Sequence, residues 1–143
     1  MTVAIGCDHA GYPYKDAIIR SLRRQKIMVI DKGTDGPDSV DYPDFVHPVA
    51  DLVEASDADL GILLCGSGNG VAMTANKHQG IRAALCWKKE LAELARQHNN
   101  ANIICLPVRF VGKRTAISMV NAFLHSEFEG GRHARRVGKI ACS

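Results

Sequence analysis

Five short apolar runs recur along the chain, and longer amphipathic segments separate them. The runs cover residues 3–7, 27–30, 60–65, 83–86 and 103–106. They are too short for helices and mostly continuous, which is typical of strands buried on both faces of a sheet. Alternation of such strands with helices predicts a parallel sheet with right-handed crossovers. We therefore expect an α/β fold, a three-layer α/β/α Rossmann-like domain with a five-stranded parallel sheet.

Helical spacing of apolar residues predicts four helices. Pro13 suits the first turn of the first helix, whose apolar side includes Ala17, Ile18 and Leu22. The other three are predicted over residues 71–78, 88–98 and 113–125. Because the 143 residues contain no linker or repeat, we expect a single domain over 1–143 that ends in a basic helix or tail over about 130–143.

Composition and charge exclude several partners. The net charge is only +3, and aromatic residues make up 6% without alternating with basic ones, so we expect no nucleic-acid partner. Asp8 interrupts the first apolar run, and no run is as long as a membrane span, so we expect no secretion signal and no membrane partner. The five cysteines form no C-x-x-C pair, which disfavours disulfides and structural zinc and is typical of the reducing cytoplasm.

A glycine-rich loop follows the third run and opens the next helix. It reads Gly66-Ser67-Gly68-Asn69-Gly70. Amides at a helix N-terminus carry partial positive charge, so the loop predicts a site for an anion or a developing oxyanion. The spacing fits neither a dinucleotide fingerprint nor a Walker loop nor a nucleophile elbow.

Cys65 stands directly before this loop. A helix N-terminus stabilises the thiolate, so we predict a pKa below about 8.5. Such a thiolate can attack a substrate, or it can take a proton alpha to a carbonyl while the loop amides stabilise the enediolate. A buried cysteine that only packs is an equally common alternative.

Other polar residues are predicted to meet this loop. In parallel sheets, ligands bind beyond the carboxyl ends of the strands. Asp8 and His9 follow the first run, and Arg109 follows the fifth. We also expect residues 98–100, at the end of the preceding helix, to lie on the same rim. The acid-free segment 132–143 contributes several basic residues, which form either a solvated end or an anion site.

Seven short motifs in this order resemble the type B ribose-5-phosphate isomerases, whose family includes the galactose-6-phosphate isomerase subunits. They are G-C-D-H-A-G (6–11), D-Y-P (41–43), C-G-S-G-N-G (65–70), A-N-K (75–77), G-I-R-A (80–83), R-Q-H-N (96–99) and E-G-G-R-H-x-x-R-V (129–137). The resemblance covers nearly the whole chain. It implies a cytoplasmic enzyme of the pentose phosphate pathway without metal or cofactor, and a homodimer or tetramer whose sites are shared between subunits.

The resemblance also implies roles for individual residues. Cys65 is the base that moves a proton between C2 and C1 through a cis-enediolate, and His98 is the acid that opens the furanose ring. The loop lines the enediolate hole, with Ser67 touching the reacting oxygens. The substrate is contacted further by Asp8, His9, Tyr42, Asn99, Arg109, Arg132 and Arg136, of which Asn99 and Arg109 resemble residues from the second subunit and the last two resemble phosphate-binding arginines.

Two positions depart from the common family pattern. Ser67 replaces a threonine of many relatives and keeps the hydroxyl, whereas Asn69 replaces a small apolar residue and is expected to add a polar contact. Thr74 stands where another branch carries a glutamate base, so the role of base falls to Cys65.

Three alternatives remain open. The same chemistry suits allose 6-phosphate or galactose 6-phosphate, and loop 34–44 is expected to shape the pocket that decides between them. The second alternative is a sugar-phosphate-binding module without catalytic activity, which would need no base. A cysteine hydrolase or phosphatase would form a covalent cysteinyl intermediate.

Overall fold

The computed structural model describes residues 1–142, so Ser143, the end of the predicted basic segment, lies outside the described residues. Within that range the strands are β1 (Thr2–Cys7), β2 (Met28–Asp31), β3 (Leu60–Cys65), β4 (Ala83–Leu85) and β5 (Ile103–Pro107). The helices are α1 (Tyr12–Arg24), α2 (Pro43–Glu54), α3 (Asn69–Ala75), α4 (Lys89–Asn99), α5 (Lys113–His125) and α6 (Arg132–Val137).

The predicted five-stranded parallel sheet is confirmed. Its strand order is β2-β1-β3-β5-β4, and every pairing is parallel. Because side chains alternate along a strand, β3 sends Ile62 and Leu64 into the core beneath α1, α4 and α5. Leu63 and Cys65 point into the opposite core, beneath α2 and α3. Helices therefore cover both faces, as the continuous apolar runs predicted.

The predicted bounds of α5 match the structure, and the predictions for α1 and α4 match it closely. The helix predicted over 71–78 starts two residues earlier, at Asn69, and ends at Ala75. Helix α2 was missed, although Val46, Val49 and Val53 form a regular buried face. Its sequence carries one proline at the start and Pro48 inside, and an interior proline is normally a helix breaker.

The sheet has one carboxyl edge and one amino edge, because all strands run the same way. Crossover helices run back across the sheet, so α4 ends at the amino edge, where β5 begins. There, Nε of Arg82 donates to the Asn100 carbonyl over 2.7 Å. The expectation that residues 98–100 share a rim with Cys65 is therefore wrong for a single chain. Among the described residues, no helix combines the length and hydropathy needed to cross a bilayer.

Candidate active site

An open cleft of about 430 Å³ lies at the carboxyl edge, over the ends of β1 and β3. These strands are neighbours, and the helices that follow them pack on opposite faces of the sheet. A crevice opens at such a switch point because the two connections diverge. The cleft is lined by Asp8, His9, Ala10, Cys65, Gly66, Ser67, Arg109 and Phe110.

Cys65 and Asp8 form a buried pair in this cleft. The thiol of Cys65 donates to Oδ2 of Asp8 over 3.1 Å. Oδ1 of Asp8 accepts the backbone N–H groups of Ala10 and Gly11, at 3.0 and 3.1 Å. Asp8 is 5% exposed and Cys65 9%. The two amides fix the carboxylate, so its second oxygen is held against the sulfur.

The pKa of Cys65 is raised to about 11, which overturns the predicted lowering. Burial is the largest cause, followed by the hydrogen bond to Asp8 and the charge of that carboxylate. Backbone hydrogen bonds from Gly66 and Gly68 act in the predicted direction but are outweighed. The resting pair therefore holds its proton on sulfur, facing the carboxylate.

The glycine loop folds closely over the strand ends. Gly68 has φ of 76°, and a Cβ there would lie 2.5 Å from Cδ1 of Leu85, so only glycine fits. The loop is tied to the end of β5, because Val108 N–H donates to the Cys65 carbonyl and Arg109 N–H donates to the Gly66 carbonyl, at 2.9 and 3.1 Å.

Ser67 and Asn69 differ in position. Ser67 lines the cleft, and its Oγ accepts the Asn69 N–H over 3.3 Å. Asn69 itself borders a separate shallow cavity over α3. Thr74 donates its hydroxyl to the Gly70 carbonyl over 2.8 Å.

Loop 34–44 contacts His9, one of the residues that line the cleft. Val40 N–H donates to Nδ1 of His9 over 3.2 Å. The loop is anchored below by Lys15, whose Nζ donates to the Thr34 carbonyl over 2.8 Å. The ring of Tyr42 packs on Gly70, where a Cβ would lie 2.5 Å from Cε1 of the ring. The structure thus brings Tyr42 and His9 to the predicted edge.

The predicted subunit origin of Arg109 is wrong. The resemblance implied that a second subunit supplies it, but it lines the cleft of its own chain beside Gly66. The physical reason is its position two residues beyond β5, whose carboxyl end is a neighbour of β3.

The remaining predicted residues lie at the amino edge. His98 and Asn99 end α4, while Arg132 and Arg136 lie exposed on α6. Within the described chain, no carboxylate lies within salt-bridge distance of either arginine. A single chain therefore places the predicted site residues at two opposite edges of its sheet.

Two residues that contact His98, namely Glu129 and His133, were not predicted from the sequence. The rings of His98 and His133 are stacked, with centroids 4.2 Å apart and planes 11° apart. Their Nε2 atoms lie 3.6 and 3.8 Å from Oε1 of Glu129. Partial desolvation and then the charges of His98 and Arg132 lower the pKa of His133. The i, i+4 spacing of Glu129 and His133 was the available clue.

Comparison with known proteins gives a consistent family. The model of the ribose/galactose isomerase family matches residues 3–140. Ribose-5-phosphate isomerase B of Escherichia coli is 43% identical over 138 residues, covering 96% of this chain and 93% of that protein. The solved ribose-5-phosphate isomerase B of Clostridium thermocellum superposes with a TM-score of 0.96 at 48% identity, covering 98% of this chain and 95% of the other.

A further solved structure contains a ligand. The ribose-5-phosphate isomerase B of Mycoplasma genitalium, with bound ribulose-5-phosphate, superposes with a TM-score of 0.93 at 48% identity. The alignment covers 97% of this chain and 93% of that one.

Proposed function

Since the chain belongs to the ribose/galactose isomerase family, we propose that it interconverts ribose 5-phosphate and ribulose 5-phosphate through a cis-enediolate, without a metal ion. The observation that carries the proposal is the Cys65–Asp8 pair beneath an open cleft and beside the glycine loop. The ribulose-5-phosphate bound to the similar Mycoplasma genitalium protein supports the choice of sugar.

The reaction requires one base that acts on two adjacent carbons. The C2 proton of the open-chain aldose is acidic because the C1 carbonyl accepts the electron pair. Cys65 takes this proton and returns it to C1, while a proton moves between the two oxygens. Ser67 touches those oxygens, and the amides of the glycine loop hold the enediolate charge.

The raised pKa of Cys65 gives Asp8 a part in this step. The thiol cannot accept a proton until it has lost its own, and Oδ2 of Asp8, at 3.1 Å, already accepts that hydrogen. We infer that Asp8 takes the thiol proton once substrate is bound, Cys65 then acts as thiolate, and Asp8 returns the proton after turnover. The pair thereby avoids a free thiolate in the resting protein.

The amino edge supplies what the cleft lacks. Ring opening needs an acid, and the phosphate needs cations in addition to Arg109. We infer a homodimer in which His98 of a second copy is the acid, Asn99 of that copy contacts the sugar, and its Arg132 and Arg136 bind the phosphate. Both arginines are exposed and have no acidic partner among the described residues, which supports this arrangement.

Proton NMR of ribose 5-phosphate in D₂O, with chelator present, tests the proposal. Ketose formation with deuterium uptake at the migrating position is the expected result, because a proton held on sulfur exchanges with solvent. Allose 6-phosphate, measured alongside, tests the six-carbon alternative. If neither sugar turns over although ribose 5-phosphate binds, the isomerase proposal fails and a sugar-phosphate-binding module takes its place.

A further inference from the structure

We propose that His98, Glu129 and His133 form a binding site for one divalent transition-metal ion of the zinc class at the amino edge. Each residue offers one ligand atom, a ring nitrogen or a carboxylate oxygen, and these three atoms all lie within 4.8 Å of one another. His98 lies at the end of α4, Glu129 lies in the segment before α6, and His133 lies in the first turn of α6.

The distances suit a metal ion after a small adjustment. Zinc bonds to nitrogen and oxygen are about 2.0–2.2 Å, so neighbouring tetrahedral ligand atoms lie roughly 3.3 Å apart. The two Nε2 atoms are 3.6 and 3.8 Å from the same oxygen of Glu129. The side chain of Glu129 is 53% exposed and that of His98 38%, so both can move the few tenths of an ångström that metal binding requires. The stacked rings must tilt so that both lone pairs point to the ion.

The backbone holds these groups together before any ion binds. Glu129 N–H donates to the Gln97 carbonyl over 2.9 Å, which fixes Glu129 beside the last turn of α4. Gly130 and Gly131 then take φ of 69° and 57°, conformations that reverse the chain. His133 N–H donates back to the Gly130 carbonyl over 3.1 Å, and its ring returns over His98.

The ligand set selects the class of ion. Two imidazoles and one carboxylate suit zinc, cobalt and nickel, whereas calcium and magnesium prefer oxygen ligands alone. Within the described chain, the two Nε2 atoms and Oε1 of Glu129 contact one another and form no hydrogen bond with another residue. Three protein ligands leave at least one coordination position for water.

The site has a consequence for activity, and this consequence rests on the proposed function. A metal ion occupies Nε2 of His98 and so removes the acid from ring opening. Zinc is therefore an inhibitor of the isomerase, one that acts on the amino-edge half of the shared site rather than on Cys65.

Cobalt titration of the chelator-treated full chain, without oxygen, tests the site directly through the visible spectrum of the bound ion. We expect one equivalent per chain, with affinity reduced about tenfold or more in His133→Asn and in Glu129→Gln, because even second-shell losses cost 10–100-fold. His125→Asn is the control, since His125 lies at the end of α5, outside the three-residue cluster, and it should leave the affinity unchanged.

The cleft offers a competing position for the ion, so Cys65→Ala belongs to the same series. Binding that vanishes in Cys65→Ala, or that persists unchanged in both amino-edge variants, overturns the site. Absence of binding at millimolar cobalt also overturns it. If binding depends on Glu129 and His133 but saturating zinc leaves isomerisation unchanged, the metal site stands and the role of His98 in the proposed function fails.

Discussion

The two edges of the sheet differ in the burial and pairing of their polar side chains. At the carboxyl edge, Asp8 and Cys65 are buried and paired, and two amides fix the carboxylate. At the amino edge, Arg132 and Arg136 are exposed, and neither has an acidic partner among the described residues. Burial shifts a pKa and positions a proton, whereas exposed cations remain available for an anion that arrives from outside. The carboxyl edge thus suits proton transfer, and the amino edge suits binding of a phosphate.

Replacing the base gives the largest expected effect. Cys65→Ala should lower kcat by about 100- to 10,000-fold, the usual contribution of a positioned base, while sugar-phosphate binding persists. Cys142→Ala is the control, because Cys142 is an exposed cysteine outside the cleft. Steady-state rates and a binding isotherm measure the two effects separately. Wild-type turnover in Cys65→Ala would reduce Cys65 to a packing residue.

Asp8→Asn should change the pKa of Cys65 and the rate of isomerisation in ways that can be measured separately. The asparagine oxygen can keep the two backbone N–H donors and turn its amide toward sulfur, which favours the thiolate. The pKa of Cys65 should then fall below about 11, while isomerisation slows because the proton acceptor is lost.

The pH dependence of iodoacetamide labelling at Cys65, followed by peptide mass mapping, measures this pKa. In the wild-type protein, labelling should rise about tenfold per pH unit toward pH 11, because the thiolate is the nucleophile. In Asp8→Asn the rise should level off at lower pH. Equal profiles together with unchanged kcat would remove Asp8 from the proton transfer.

Replacing a phosphate-binding arginine at the amino edge should affect catalysis less than replacing Cys65 or Asp8. Arg136→Ala should raise KM by about 10- to 100-fold with little change in kcat, because a charged hydrogen bond to phosphate is made in ground and transition state alike. Arg135→Ala is the matched control on the same helix. Unchanged KM in Arg136→Ala would exclude Arg136 from the phosphate site.

The sequence predicted the carboxyl edge better than the amino edge. Continuous apolar runs indicate buried parallel strands, and the carboxyl ends of adjacent strands must meet, so Asp8 and Cys65 were correctly expected to lie close together. The pKa of Cys65 was predicted in the wrong direction because helix amides are visible in a motif, whereas burial and a hydrogen bond to a distant residue are not.

The position of His98 was predictable from topology alone. A crossover helix runs against its strands, so the last turn of α4 must lie at the amino edge. The contact of His98 with Glu129 and His133 was not predictable, because it depends on the chain reversal at Gly130 and Gly131 and on the path from α5 to α6.

Subunit mixing tests most directly whether the two edges of different copies form one site. The Cys65→Ala and His98→Asn variants of the proposed homodimer, each expected to be nearly inactive, are combined in equal amounts and allowed to exchange subunits. Half of the dimers are then hybrids, and each hybrid has one site with both native residues, so we expect recovery of about a quarter of wild-type activity. If Cys65 and His98 of the same chain formed the site, no hybrid site would be intact, and the mixture would stay as inactive as its parents.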